Sequence, residues 1–364
     1  MDISTAPTRV GLIGFGLGGA TFHAPFIART PGLELAAVMT SDAARRTAVE
    51  SQYPGTQMVA NLDALLTLTP RLDLISISAP NASHYPLARA ALEAGRHVVV
   101  DKPFAGTSAE ARELADIAQR VGKLAMPFQN RRWDGDFLTL QRLLRDDTLG
   151  RIFRYESRFD RWRPTPKPGW LLADGRARGE DMLHDIATHL VDQALVLFGG
   201  VTHVYAELMA RHAGVVTNDD AFLALTHESG VSSHLYMSAM AGQPGPRMSV
   251  FGSRAAYMKL GLDVQEEQLK GGLRPGDAGY GEEPASRWGS IAGPGIDEVV
   301  PTAAGTYEQF YAGVARAVRE GAAQPVPVVD VVAGLEIIEA AYVSHEEKRV
   351  VTVGGTGDGG RLAR

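Results

Sequence analysis

Apolar runs in the first third of the chain are short, unbroken and evenly spaced. Arg9–Gly14 (RVGLIG), Leu33–Met39, Leu72–Ile77, His97–Val100 and Leu124–Phe128 each read as a strand buried on both faces. Between them the spacing turns helical, over Leu17–Ala28, Ala43–Gln52, His84–Ala94 and Thr107–Val121. Gly95 and Gly122 close the last two helices, and Thr107 with Glu110 forms a capping box. Strand and helix alternating at this pitch predict a doubly wound parallel sheet, the Rossmann arrangement.

The pattern changes after Phe128. Helical spacing returns at Asp136–Arg145, and Ile152–Phe159 alternates like a strand. A proline-rich loop follows, Arg161–Trp170 (RWRPTPKPGW), and then a long helix over Asp181–Phe198. Val201–Met209, Asp219–His227, Val231–Ala239, Arg247–Phe251 and Ala256–Leu260 then read as strands without helices between them. Such a succession predicts a large, mostly antiparallel open sheet in an α+β domain. Two helices, Tyr307–Glu320 and Val331–Lys348, end the pattern, with Asp330 as N-cap of the second. The expected division is a Rossmann domain over 1–130, a second domain over 131–353, and a Gly-rich flexible tail over 354–364.

Composition narrows the chemistry. A formal charge of −6 leaves no basic excess for a phosphate backbone, which argues against nucleic acid. There is no cysteine, so disulfides, thiolate nucleophiles and Cys-ligated metals are excluded. Neither an apolar leader core nor an eighteen-residue apolar run stands in the sequence, so no membrane span is expected and the cytoplasm is the expected compartment.

The first strand runs into Gly14-Phe-Gly16-Leu17-Gly18-Gly19, which satisfies G-x-G-x-x-G through Gly14, Gly16 and Gly19. The first glycine serves the turn, the second the approach of a pyrophosphate, and the third helix–strand packing. The following helix offers free N–H groups to the anion. About twenty residues on, an NAD enzyme carries a carboxylate for the ribose. Here the chain has neutral Thr40 and Ser41, then Arg45 and Arg46, which favours NADP, with NAD remaining open. Asp42 reads either as a ribose ligand or as the N-cap of its helix.

Ligands of such a sheet bind outside the carboxyl ends of its strands. Pro80, Asn81 and His84 follow one strand end, and Asp101-Lys102-Pro103 follows another. Lys102 there can polarise a hydroxyl beside the nicotinamide. Asp185 and His189, four apart, share a helix face, and a histidine suits removal of an alcohol proton. His184 with these two offers a metal reading, but hydride transfer needs none, and no metal is assigned. Arg131 and Arg132, at the expected domain junction, read as contacts to a polyol or phosphate, or as interdomain ion pairs. Trp162, flanked by Arg161 and Arg163, is a further candidate for the substrate.

Taken in order, GLIGFGLGGATFHAP, APNASH, VVVDKPFAGT, FQNRRWDGDFLTL and DMLHDIATHLVDQALVLFG resemble the Gfo/Idh/MocA oxidoreductases, from about Arg9 to Val353. NRRWD–DFLT and DQ–L–LFG are the most specific phrases, and they resemble the NADP-dependent scyllo-inositol dehydrogenases of that family. The resemblance implies a Rossmann domain, a second domain whose open sheet builds a homodimer or homotetramer, and a small polyol or sugar as substrate. It also implies a catalytic set carried onto Lys102, Asp185 and His189, with Pro103 against the nicotinamide. Asp101 stands where the family has glutamate, and Asp42 where NADP-using relatives often have arginine. The expected activity is interconversion of a secondary ring alcohol and its ketone. Two rivals are a glycosidase that recycles a bound NAD hydride and a non-catalytic dinucleotide-binding regulator.

Overall fold

The structure is a computed structural model that describes residues 6–172 and 174–354. The expected tail, from 355 onward, lies outside the described residues. The chain forms two compact units. One runs to Trp133 and takes in Gln265–Tyr280 and Thr306–Val332, and the other holds Asp134–Val264, Gly281–Gly305 and the chain from Ala333 on.

The first unit is built on β1 (Thr8–Ile13), β2 (Leu33–Met39), β3 (Gln57–Val59), β4 (Leu74–Ile77), β5 (His97–Val100) and β6 (Ala125–Pro127). All pairings are parallel and the order is β3-β2-β1-β4-β5-β6. Val10, Leu12, Leu74, Ile75 and Val98–Val100 are fully buried, as unbroken apolar runs require in a sheet covered on both faces. The strand order reverses between β1 and β4, which is where such sheets bind ligands. Register levels three strand ends: Ile13 pairs with Ile77, and Ile77 with Val100. Gly14, Ser78 and Asp101 therefore leave the sheet side by side.

The second unit holds β7 (Ile152–Asp160), β8 (Val201–Met209), β9 (Asp220–His227), β10 (Ser232–Ser238), β11 (Met248–Gly252), β12 (Ala256–Lys259), β13 (Gly289–Gly293), β14 (Ile296–Val300) and β15 (Val351–Thr352). They form one nine-stranded sheet, antiparallel except for the central pair β7 and β10. Tyr155, Leu223, Leu235 and Val250 face a core shared with Phe137, Leu140, Leu190 and Ile338 of the covering helices. The opposite face is open, and there Arg154 lies 4.1 Å over the Phe251 ring and Arg158 4.1 Å over Tyr236. Under the helices Arg247 pairs with Asp136 at 3.3 Å, both almost fully buried, and donates to Gln193 at 2.8 Å.

Alternation found the long strands and missed the short ones. The missed strands are the edge strands β3, β14 and β15, of three, five and two residues, and β13, of five, beside β14; all are too brief or too polar to show a period. Asp330 is not the N-cap of the last helix. That helix starts at Val328, after Pro327, and Asp330 stands in its first turn, 2.8 Å from Arg132. Proline favours the position at or before the first helical residue, which moves the start upstream.

Candidate functional site

In the first unit, the glycine loop leaves β1 with Gly14 at φ +90°, a conformation side chains avoid. A Cβ on Gly14 would sit 2.1 Å from the Ser78 carbonyl, and one on Gly19 2.1 Å from the Gly14 carbonyl. Both are therefore dictated by packing. Gly16 is different: a Cβ there would meet only Arg45 Nη1, at 3.8 Å. The space that Gly16 leaves is open, as a close-approaching pyrophosphate requires, and the next residue, Leu17, is largely exposed. These residues fit a dinucleotide.

The loop continues into a wide π turn, Gly19–His23, before an α-helix over Ala24–Arg29. Thr40 is buried, with its hydroxyl 3.4 Å from the Asp42 amide, while Ser41 is exposed. Asp42 is the N-cap of its helix and accepts from the Arg45 amide at 2.9 Å. Arg45 thus lies beside the phosphate loop, and Arg46 is half-buried one position on.

Asp101 holds the base of the next strand end. Its carboxylate accepts from Ser78 Oγ at 3.0 Å and from the Lys102 amide at 2.8 Å, and stands 3.3 Å from His23 Nε2. A carboxylate can only accept, so Nε2 faces it as an N–H, in a contact longer than those two bonds. His23 Nδ1 then accepts from the Tyr311 hydroxyl at 2.7 Å, and Tyr311 accepts from Ser76 at 3.0 Å. Burial would raise the Asp101 carboxyl, but His23, His84 and Lys102 outweigh it and hold it well below the usual carboxylate range. Burial pushes the Tyr311 hydroxyl far up, so it remains a donor. All these donors point toward one ionised carboxylate next to Lys102.

His84 does not line the crevice as expected. It is 1% exposed, and its ring nitrogens lie 2.7 Å from the Pro103 carbonyl and 2.8 Å from that of Ala79. It joins the Pro80–Asn81 turn to the Asp101–Pro103 turn from beneath. Arg131 and Arg132 also have partners inside this unit, Glu266 at 2.7 Å and Asp330 at 2.8 Å.

In the second unit, the helix bearing Asp185 and His189 is not uniform. Leu183–Ala187 is a π turn, and the α-helix begins at Thr188. Asp185 lies in the wide turn and His189 in the α-helix that follows it, so the winding changes between them. Single π turns of this kind recur at functional positions. His184 turns away from the pair: its Nδ1 lies 2.9 Å from the buried Asp181 carboxylate, which also binds Asn218 and Tyr342. His189 is buried, and Asp185 is partly exposed and ion-paired with Lys167 of the proline-rich loop. Trp162 forms a bridge with Met240 and is 56% exposed.

Sequence reasoning missed His23, Ser76, Tyr311 and Lys167. His23 stood in the quoted FHAP segment, but its partner Tyr311 is 288 residues away, and no local pattern joins them.

The matched families place this geometry. An oxidoreductase family with an NAD-binding Rossmann fold (GFO_IDH_MocA) matches residues 8–129, and its C-terminal α/β domain matches 141–353. The uncharacterized oxidoreductase YdgJ of Escherichia coli is 40% identical over 93% of this chain and 97% of its own. The scyllo-inositol 2-dehydrogenase (NADP(+)) IolW of Bacillus subtilis is 33% identical over 94% of this chain and 95% of its own. A solved Bacillus subtilis structure, the oxidoreductase yvaA, superposes with a TM-score of 0.90 at 31% identity, covering 96% of this chain and 99% of that one.

Proposed function

The chain belongs to the Gfo/Idh/MocA oxidoreductase family, and from that membership we propose that it is an NADP-linked dehydrogenase of a secondary ring alcohol in an inositol or sugar, acting also on the ketone in reverse. It is an NAD(P)-dependent oxidoreductase by family. The observation that carries the finer reading is the position of Lys102. It follows Asp101, whose Oδ2 lies 2.9 Å from where a Cβ on Gly18 would be. The Lys102 amide donates to that same carboxylate at 2.8 Å, which fixes the Lys102 backbone beside the phosphate loop. IolW, an NADP-dependent relative, supports both cofactor and substrate class. Arg45 beside Gly16 supports the 2′-phosphate.

When bound, the nicotinamide accepts the hydride of the alcohol carbon. Gly14, Gly16, Leu17 and Gly19 hold the pyrophosphate end, and Thr40, Ser41, Arg45 and Arg46 the adenosine end. Pro80, Asn81 and Pro103 bound the nicotinamide side. In this reading His189 takes the hydroxyl proton, Lys102 steadies the oxygen as negative charge grows, and Asp185 orients the substrate. Trp162 remains a substrate contact, whereas the ion pairs of Arg131 and Arg132 suit them to holding the 130–133 turn. The open face of the nine-stranded sheet, with Phe251 and Tyr236 beneath arginines, would join copies into a homodimer or homotetramer. A cytoplasmic setting belongs to this reading, and the cysteine-free sequence fits it without requiring it.

Lys102→Ala tests the reading. Turnover on the best polyol should fall about 10³-fold, with NADP binding retained in a titration. Near-normal turnover would reject the catalytic assignment. Running NADP and NAD in parallel tests the cofactor, and a strong preference for NAD would overturn that part.

A further inference from the structure

The proline-rich loop leaves β7 as a continued strand, with the Arg161 and Arg163 amides donating to the Ser238 and Ala239 carbonyls at 2.8 and 2.9 Å. Pro164 follows and has no N–H for further pairing. The Arg163 carbonyl takes its partner outside the sheet, 2.6 Å away at His212 Nε2. His212 stands in the connection between β8 and β9, and its Nδ1 lies 2.7 Å from the Asp219 carboxylate. That carboxylate is fully buried and also accepts from the Arg211 and His212 amides, at 2.7 and 3.0 Å. At the far end of the loop, the Trp170 carbonyl accepts from the Val216 amide at 3.1 Å. Asn218 accepts from the Leu183 amide and donates to Asp181, both at 3.0 Å. One short connection thus grips both ends of the loop that carries Lys167 and the start of the wide turn that carries Asp185.

A carbonyl and a carboxylate can only accept, and a neutral imidazole carries a single N–H. His212 therefore makes both ring contacts at once only when both nitrogens are protonated. We infer that His212 is a positioning residue that holds the proline-rich loop as an imidazolium, and that loss of its ring proton frees the Arg163 carbonyl and weakens substrate binding. The surrounding charges agree. Arg211 is taken up by Asp220 at 2.8 Å and Lys167 by Asp185, Arg163 lies on the loop itself, and Asp219 is the charge in contact with the ring. The bond to Asp219 raises the imidazole above its ordinary 6.5; burial opposes the rise, and the Arg163 carbonyl adds to it. When the proton leaves, the charged acceptor keeps the Nδ1 N–H, because its bond is the stronger. Nε2 then faces the Arg163 carbonyl lone pair to lone pair. The hold is complete below the ordinary histidine value and is lost as pH rises through the raised one. Without it the loop has one anchored end, and Lys167 no longer sets Asp185 in one place. The word substrate rests on the dehydrogenase reading above; the hold on the loop does not.

Two variants separate the contacts. In His212→Asn the amide nitrogen can stand in for Nδ1 and keep Asp219, and in His212→Gln it can stand in for Nε2 and keep the Arg163 carbonyl at any pH. Nitrogen NMR of ring-labelled histidine, with the His212 signals assigned by their loss in either variant, reads the ring. Both nitrogens should carry protons at about pH 6, and the ring should titrate above the ordinary value. Amide exchange of the peptide 165–172, compared between proteins at one pH, reads the loop without substrate. At about pH 6 the wild type should exchange about tenfold more slowly than His212→Asn, and at about pH 9 equally fast. KM for the best polyol should follow the same ratios, with kcat changing less. His212→Gln should recover part of the protection and lose its pH dependence. A neutral ring at about pH 6, or equal exchange in wild type and His212→Asn there, would overturn the inference. So would a KM ratio that does not change with pH. Should neither variant fold, the wild-type ring titration and the wild-type loop exchange must share one midpoint, and separate midpoints would overturn it. Loop exchange that follows the ring, without turnover on any polyol, leaves the hold standing and removes the dehydrogenase reading.

Discussion

The Asp101–Pro103 turn of the first unit and the Asp185 turn of the second are held in opposite ways. Asp101 receives Ser78, His23 and the Lys102 amide, while His84 fixes the Pro103 carbonyl, with His23 and His84 at 0% and 1% exposure. Asp185 is held by Lys167, whose side chain is 37% exposed and lies on a loop rich in proline. One turn is fixed by a buried polar chain, where each lost hydrogen bond strands another group. The other is fixed by an accessible ion pair of modest strength. A rigid seat suits the cofactor side, which is the same for every substrate. An exchangeable contact suits recognition, where the partner changes on binding.

The largest expected effect comes from breaking the rigid seat. His23→Leu should lower kcat about 10²-fold, because small misplacements of a positioned group cost that much. His23→Gln, which can still donate to Asp101 and accept from Tyr311, should recover part of it. Steady-state kinetics across pH and a melting curve for each variant check this. A kcat within threefold of wild type for His23→Leu would show that the chain of donors positions nothing.

Breaking the exchangeable contact should do less and act elsewhere. Lys167→Met is expected to raise KM for the sugar about tenfold, more than it lowers kcat, with NADP affinity unchanged. If kcat fell and KM stayed fixed, Lys167 would belong to the rigid class and the contrast would fail.

The smallest effect concerns the far end of the strand that carries Asp101. His97 begins β5, and burial with the Lys123 charge lowers its imidazole to about 4. The unfolded chain protonates this histidine near 6.5, so between 6.5 and 4 the unfolded state binds more protons. Folding stability should therefore fall as pH drops through that window. Urea unfolding at pH 7 and pH 4.5 should show a smaller loss for His97→Gln than for wild type, and an equal loss would refute it.

Much of the fold was legible because burial on both faces leaves plain apolar runs, as at Val98–Val100. The glycine loop and Lys102 were legible for the same reason: strand ends mark ligand positions. The most specific phrases proved informative in another sense. In NRRWD–DFLT and DQ–L–LFG, Arg131 meets Glu266, Arg132 meets Asp330, and Asp136 and Gln193 both serve Arg247. Each of these contacts braces one unit from within. The Asp101 network was not legible, since Ser76, His23 and Tyr311 meet only after folding.

The wide turn Leu183–Ala187 has a consequence for how this protein can vary. An α-helix advances about 100° per residue, and a π turn accommodates one extra residue within an otherwise α-helical segment. The angular phase between Asp185 and His189 is therefore set by backbone count. A one-residue deletion there would let the turn close into plain α-helix while the segments on either side keep their facing, because the wide turn is where the extra residue is absorbed. Point substitutions leave the wide turn in place, whereas a single-residue deletion removes it in one step.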